Sequence, residues 1–453
     1  MATWAEDEFG GASLGDKRLD LRLIKLATQF AEQPTASIPG ACGGAAETKA
    51  AYRFFDQANA DQRELGWEAI LQPHMESTAT RMRQHPVVLC LQDTTELDFN
   101  GQCITGLGPL SYEAQRGMYL HPTYVVTPQR EPLGVMDAWM WARQPKTADG
   151  TRPGVSESQR WIEGYERIAE TAAAMPQTRL VYIADREADM AALMERAQAL
   201  GTPADWLIRA QHNRCLPEGG KLWAATRAQA PLGEIEFTLA SRQGQAERTV
   251  RQRLWAHAVD LPATAGDRVR VTCVIASEID APVGIKPIEW RLVTNRKALT
   301  LESAVELINW YPCRWEIETL FHVLKNGCRV EALQLDSQAK LELALALYLV
   351  VSWRIAHVVR IAHVVRLGRI HPNLPADLFF AEVEWTGAYV LNKKKPPKQP
   401  PPVRDVVRLI AQLGGFLARK GDGEPGVKSL WLGLARLRDF ALTVEHMQAL
   451  GHD

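Results

Sequence analysis

VVLCLQ, residues 87–92, runs straight into Asp93, and RLVYIA, residues 179–184, runs straight into Asp185. Short apolar runs rich in β-branched residues, without polar alternation, read as strands buried on both faces. In an open sheet the carboxyl ends of such strands are where functional groups gather. Between the two runs lie YLHPTYVVTP (119–128) and LGVMDAWMWAR (133–143), strand-like and joined by the turn PQREP. A helical stretch from Ser156 to Ala174 precedes the second run, and the helix DREADMAALMERAQAL (185–200) and the strand DWLIRAQ (205–211) follow it. Three strands, helix, strand, helix, strand is an α/β order, not that of a sandwich or a bundle.

On the N-terminal side, GDKRLDLRLIKLATQFAEQ (15–33) places Leu19, Leu23, Leu26 and Phe30 at helical spacing, with Lys17, Arg18, Arg22 and Lys25 mostly outward. After the break PTASIPGACGG, the segment ETKAAYRFFDQ resumes a helical pattern, so a helical domain is expected over residues 1–86. On the other side, residues 216–289 alternate as hairpins (GEIEFTLAS, RTVRQRLWAH, RVRVTCVIAS), a β-rich insertion before the α/β pattern resumes at EWRLVTN. Helical patterns cover Leu301–Trp310, Pro312–Asn326 and Ser337–Leu367, the last carrying the tandem hexapeptide RIAHVV, a local duplication inside one helix. The expected domains are thus 1–86, 87–370 and 371–453. A solvated Lys/Pro-rich linker, LNKKKPPKQPPPVRD, and amphipathic helices occupy the third.

Composition removes several classes. In 453 residues, 46% apolar and 23% charged exclude wholesale disorder, collagen and coiled coil. The start MATWAEDEFGG lacks the basic and apolar regions of a signal peptide, and Leu343–Val351 is too short to span a bilayer, so a cytoplasmic protein without membrane contact is expected. Seven scattered cysteines without a C-x-x-C pair read as reduced thiols. The near balance of 52 basic and 53 acidic residues excludes a uniformly basic surface. It conceals a block from Leu391 to Lys420 with eight basic residues and one acidic, which suits a DNA duplex.

Two strand-end aspartates and the helical Glu318 could converge at a sheet edge, where hard oxygen ligands suit Mg²⁺ or Mn²⁺. From placement alone, Asp93 and Asp185 serve equally as turn or cap residues. At about 100° per residue, Tyr311, Arg314, Glu318 and Lys325 fall within about 60° of one another on one helix face. Such a face is either a set of weak surface ion pairs or a holder of a phosphodiester beside a metal.

The spacing Tyr311-x2-Arg314-x3-Glu318-x6-Lys325, in YPCRWEIETLFHVLKNG, resembles the Y-R-E-K pattern of bacterial insertion-sequence transposases. QDTT at Asp93, ADREADM at Asp185, GLGPLSYEAQRGMYLHP, IRAQHNR around Arg209 and PIEWRLVTN around Trp290 resemble the Tn-five type specifically. GDKRLDLRLIKLA and AYRFF resemble its N-terminal DNA-binding domain, and the region from GGFLARK to SLWLGLARLRDF its C-terminal dimerisation helices. The resemblance implies an RNase H-like, retroviral-integrase-like core with a β insertion and helical terminal domains. It implies cut-and-paste transposition by a homodimer on paired transposon ends, in the bacterial cytoplasm at the nucleoid. Asp93, Asp185 and Glu318 would be a DDE triad for two divalent ions, about 3.5–4 Å apart in two-metal sites, acting in nicking, hairpin formation and opening, and strand transfer into target DNA. Trp290 matches a stacking tryptophan for a flipped base. Tyr311, Arg314 and Lys325 match contacts to strand-end phosphates, with Trp315 and Arg209 as supports. Arg186 and Glu187, which follow Asp185 directly, read either as residues that orient it from behind or as ordinary helix-start residues.

The competing readings are a transposase-derived regulator that binds DNA without cutting it and a general metal nuclease. Without the resemblance Trp290 reads as a packed core aromatic in a strand; Trp315 reads equally as core packing or DNA contact, Asp189 as a residue that caps or orients within its helix, and His121 as a structural histidine.

Overall fold

The computed structural model describes residues 3–59, 65–239, 248–263, 267–358, 375–378, 380 and 382–419, with scattered positions between 422 and 444. The two apolar runs are strands β1 (Val87–Gln92) and β6 (Arg179–Ala184), paired in parallel from Val87↔Arg179 to Leu91↔Ile183. Continued by two residues, this register sets Asp93 level with Asp185. Neighbouring strands lie about 4.8 Å apart, so these two positions leave the sheet side by side, close enough for the Asp185 charge to act on Asp93.

On its other side β1 pairs antiparallel with β4 (Arg116–Val126), Gln92 opposite Thr123. The short β2 (Thr95–Asp98) continues along the same edge of β4, so the pairing is interrupted only at Asp93 and Thr94. A two-residue β3 (Gly108–Pro109) pairs with the start of β4, and β5 (Pro132–Trp141) lines its opposite edge. Neither β2 nor β3 was expected; four and two residues are too few for a period-two pattern to register. Beyond β6 come β7 (Asp205–Arg209), parallel, and β11 (Glu289–Thr294), antiparallel. Then β10 (Arg268–Ile279), β9 (Arg248–Pro262) and β8 (Gly233–Leu239) follow in order. The β-rich segment therefore extends the same sheet, which has eleven described strands. Its turn RQGQAE lies outside the described residues.

Alternation along β1 divides the core into two layers. Val88 and Cys90 face a cluster with Trp161, Tyr165 and Ile168 of α6 (Glu157–Ala173) and Leu193 and Met194 of α7 (Ala191–Ala199). Leu89 and Leu91 face the other way, into a cluster shared with the N-terminal helices. These are α1 (Trp4–Phe9), α2 (Lys17–Glu32), α3 (Ile38–Cys42), α4 (Ala45–Phe55) and α5 (Trp67–Met82). After α8 (Leu222–Arg227) the same layer receives α9 (Leu301–Trp310), α10 (Trp315–His322) and α11 (Gln338–Val358). The apolar run Leu343–Val351 lies in α11, buried throughout, with Tyr348 stacked on Phe30 at 5.0 Å. No helix among the described residues is long and apolar enough to cross a membrane. The second RIAHVV hexapeptide lies outside the described residues. None of the seven cysteines is in a disulfide.

The described residues form two compact units, the larger within Met1–Phe237 and Thr249–Ala356, the smaller within Thr238–Arg248 and His357–Asp453. In the smaller, α12 (Glu382–Leu391) and α13 (Val403–Leu413) pack through Trp385, Ala388, Val406 and Ile410, with the Lys/Pro-rich segment as the loop between them.

A buried polar network ties α1 and α5 to the sheet. His74 Nδ1 donates to Glu8 Oε2 at 2.6 Å, and its Nε2 accepts the Val135 N–H at 3.0 Å. Because Nε2 must accept, the imidazole is held neutral. Arg81 pairs with Glu8 at 2.6 Å and lies over the Trp353 ring, 4.4 Å from its centroid. Burial lowers the His74 pKa below 6.5. For Glu8 burial acts upward, but the hydrogen bonds and charges of His74 and Arg81 together hold it below 4.5. Both groups bind protons less readily folded than unfolded, so their contribution is present above these ordinary values and is lost as pH falls through them. We predict that the urea midpoint falls between pH 7 and pH 4, and that Glu8→Ala costs about 3–5 kcal/mol near neutrality and progressively less towards acid.

Candidate active site

Asp93 occupies the break between β1 and β2, where the chain leaves one pairing before entering the next. Its Oδ1 accepts the Thr94 N–H at 2.8 Å. Behind it runs a buried relay: the Thr94 hydroxyl meets His121 Nδ1 at 2.8 Å, and His121 Nε2 meets Gln92 Oε1 at 3.2 Å. Gln92 Nε2 donates to Thr123 at 2.7 Å. Burial pushes the His121 pKa down to about 3, so this histidine is neutral and structural. Only Gly164 in α6 leaves room for Gln92, since a Cβ there would collide with the amide.

Asp185 ends β6 and caps the 3₁₀ turn Arg186–Ala188, its Oδ1 accepting the Glu187 N–H at 2.8 Å. The side chains of Arg186 and Glu187 are exposed; it is the backbone of Glu187 that orients Asp185. Asp189 does more than cap. Buried at the end of this turn, it accepts the N–H groups of Gln211 and His212 at 2.6 and 2.8 Å and pairs with Arg214 at 2.6 Å. It thereby binds the turn after Asp185 to the segment that follows Arg209. Nothing in DREADM distinguishes this second aspartate from an ordinary helix-start residue.

The third carboxylate arrives on a helical run that is not uniform. Pro312 offers no N–H, and Tyr311–Arg314 tightens into a 3₁₀ turn between α9 and α10. This turn packs against β1 and β6. Arg314 Nη1 lies 2.5 Å from Asp93 Oδ2, and both terminal nitrogens lie 3.4 Å from Glu318 Oε1. Arg314 is only 8% exposed, whereas the Glu318 side chain is 47% exposed. Burial is the largest influence on Asp93; Arg314 opposes it, Asp185 and Glu318 reinforce it, and the pKa is raised to about 7. Beyond α10 the chain makes a π turn, Val323–Gly327, which carries Lys325 away from the regular α register. Lys325 meets Glu331 at 3.9 Å instead of joining Glu318. The single face expected from uniform helical spacing thus holds for Arg314 and Glu318, and Lys325 lies apart from their ion-pair cluster.

Trp290 is neither solvent-facing nor sealed in the core. Its ring centroid lies 5.4 Å from that of buried Tyr311, and the Arg209 guanidinium stands over it at 4.9 Å. The Tyr311 hydroxyl interacts with both Arg209 and Arg314, linking this aromatic group to the carboxylates. Trp315 is 52% exposed, with Arg314 5.4 Å from its ring. Core packing is therefore excluded for Trp315.

The donor chemistry fits a divalent cation. The nearby acids are hard carboxylates, one is raised by burial and its acidic neighbours, and a cationic side chain already balances it. Among the described residues, however, no three Asp, Glu, His or Cys side chains are gathered into a coordination sphere.

Comparison with known families agrees with this arrangement. Residues 144–353 match the transposase DDE domain, which carries with it an RNase H-like core and dependence on divalent metal. Asp185 and Glu318 fall within that span and Asp93 precedes it. The protein is a DDE transposase, a metal-dependent nuclease and strand transferase. Residues 1–60 match the transposase DNA-binding family and residues 350–449 the transposase Tn5 dimerisation domain. The chain belongs to the Tn5-type DDE transposases, which bind DNA and dimerise.

Removing the Asp189 side chain strands Arg214 and two backbone N–H groups. We predict that Asp189→Ala lowers unfolding stability by about 3–5 kcal/mol and Asp189→Asn by less, measured by urea denaturation.

Proposed function

We propose that Asp93, Asp185 and Glu318 are the catalytic triad of this transposase and hold two Mg²⁺ or Mn²⁺ ions. The observation that carries this reading is the β1–β6 register, which sets the two aspartates level, with Arg314 bridging from Asp93 to Glu318. Bound there, the ions would stabilise the attacking and leaving oxygens of an in-line phosphoryl displacement. The residues of the chain do the rest. Thr94 and Glu187 aim the aspartates through their backbone N–H groups. Tyr311, Arg314 and Lys325 position strand-end phosphates, and Trp315 lies exposed beside them as a further DNA contact.

The reaction series is hydrolytic nicking at a transposon end, attack of the freed 3′-OH on the opposite strand to close a hairpin, hydrolysis of that hairpin, and joining of the 3′-OH to target DNA. Each step exchanges one oxygen for another at phosphorus, so no covalent protein–DNA bond is required. Trp290, in contact with Arg209 and Tyr311, stacks the base that must leave the helix when the hairpin closes, a contact worth about 1–3 kcal/mol. Residues 1–86 take the terminal sequence, 87–370 the chemistry and 371–453 dimerisation within a paired-end complex, at the bacterial nucleoid.

Mixing the protein with Mg²⁺ and duplexes copied from the DNA on both sides of its gene tests this. Asp185→Ala should abolish nicking while leaving gel-shift binding intact; nicking at the wild-type rate would overturn the triad. A protein that binds the ends without cutting them would be a regulator, and cutting of unrelated duplexes would mark a general nuclease. Trp290→Ala should slow hairpin formation by at least about tenfold, the equivalent of 1.4 kcal/mol, and slow the first nick much less. Equal slowing of the two steps, resolved on denaturing gels, would count against base stacking at Trp290.

A further inference from the structure

The cation that meets Asp93 in this structure is a residue of the chain itself. Arg314 reaches the Asp93 Oδ2 oxygen at 2.5 Å and Glu318 at 3.4 Å, from a position that is almost fully buried. A metal ion held by these carboxylates needs the same oxygens. Two of the three acids are paired with the Arg314 guanidinium. Its own donors are not fully used: among the described residues the buried Arg314 Nε has no hydrogen-bond partner. A buried donor left unmade favours any exchange that supplies an acceptor.

Resting on the triad reading above, we propose that Arg314 gates metal loading. In the DNA-free protein its guanidinium takes the place of the metal's positive charge between Asp93 and Glu318. A DNA phosphate seated at the site offers the planar fork a better, bidentate partner, draws it off the carboxylates, and frees them for a divalent ion. When the exchange is complete each charge has a partner: the divalent ion stands beside the two carboxylates that Arg314 has left, and Arg314 stands beside the phosphate. DNA and metal are then coupled ligands, each strengthening the other through Arg314. The site is poorly loaded, and idle, until nucleic acid is in place.

The test is Mn²⁺ binding by the full chain, read from the loss of the free-ion electron paramagnetic resonance signal, at one fixed pH for all proteins. Without DNA, Arg314→Gln should bind Mn²⁺ about tenfold more tightly than the wild type, within the range typical of coupled sites. A short duplex should tighten Mn²⁺ binding by the wild type and have much less effect on the variant. Arg314→Met fills the same buried space without charge and gives the same reading should the glutamine variant fail to fold. Equal or weaker Mn²⁺ binding by both variants, with Asp93→Asn abolishing binding, would overturn the gate and leave the triad standing. Unchanged binding by Asp93→Asn would overturn the triad reading, and the gate with it.

Discussion

The parallel pairing of β1 with β6 is the constraint on which the rest of the molecule depends. Five residue pairs, Val87↔Arg179 to Leu91↔Ile183, settle where two strands separated by almost ninety residues end. A slip of one residue would exchange the two faces of β1, sending Leu89 and Leu91 into the layer of α6 and α7. It would also take Asp93 out of line with Asp185. Burial on both faces therefore enforces the register, and the register levels the carboxylates. Packing and chemistry are satisfied by the same alignment.

Gathering acids at one sheet edge has an electrostatic cost that the surrounding structure answers. Burial and two acidic neighbours raise Asp93 to about 7 despite the adjacent guanidinium. Arg314 is available for this because Pro312 tightens the preceding turn and seats it against the ends of β1 and β6. The same turn sets Tyr311 against Trp290, the two rings tilted to one another, so the carboxylates and this aromatic pair share one support. The π turn after α10 separates Lys325 from that group and delivers it to the neighbourhood of β2.

The DNA-binding family match and the catalytic sheet share one core. Phe30 stacks on Tyr348, and Glu8 joins His74 and Arg81, which in turn hold the backbone of β5 at Val135 and Leu133. A histidine obliged to accept from a backbone N–H, and an ion pair between α1 and α5, make this junction specific as well as apolar. Movement of α1 against the sheet would leave a buried carboxylate unpaired.

Much of this was legible in the chain alone, because local signals carried it: unbroken apolar runs for strands buried on both faces, aspartates at their ends, helical periodicity in α2, and the Y-R-E-K spacing with its neighbouring motifs. Short edge strands were not legible, since β2 and β3 are defined by their partner β4 and not by their own pattern. Uniform spacing puts Lys325 on the face of Arg314 and Glu318; a π turn, which no residue there announces, interrupts that spacing, and the ion pair Lys325 makes is with Glu331. Asp189 read as a cap because its partners lie more than twenty residues away. The sequence by itself determined the longer elements, the family and the placing of Asp93 and Asp185 at strand ends, all of which depend on neighbours close along the chain. Only the tertiary structure decided which charges meet. Arg314 and Asp93 are 221 residues apart. Their contact exists because two parallel strands and a proline-tightened turn converge at one edge of a sheet.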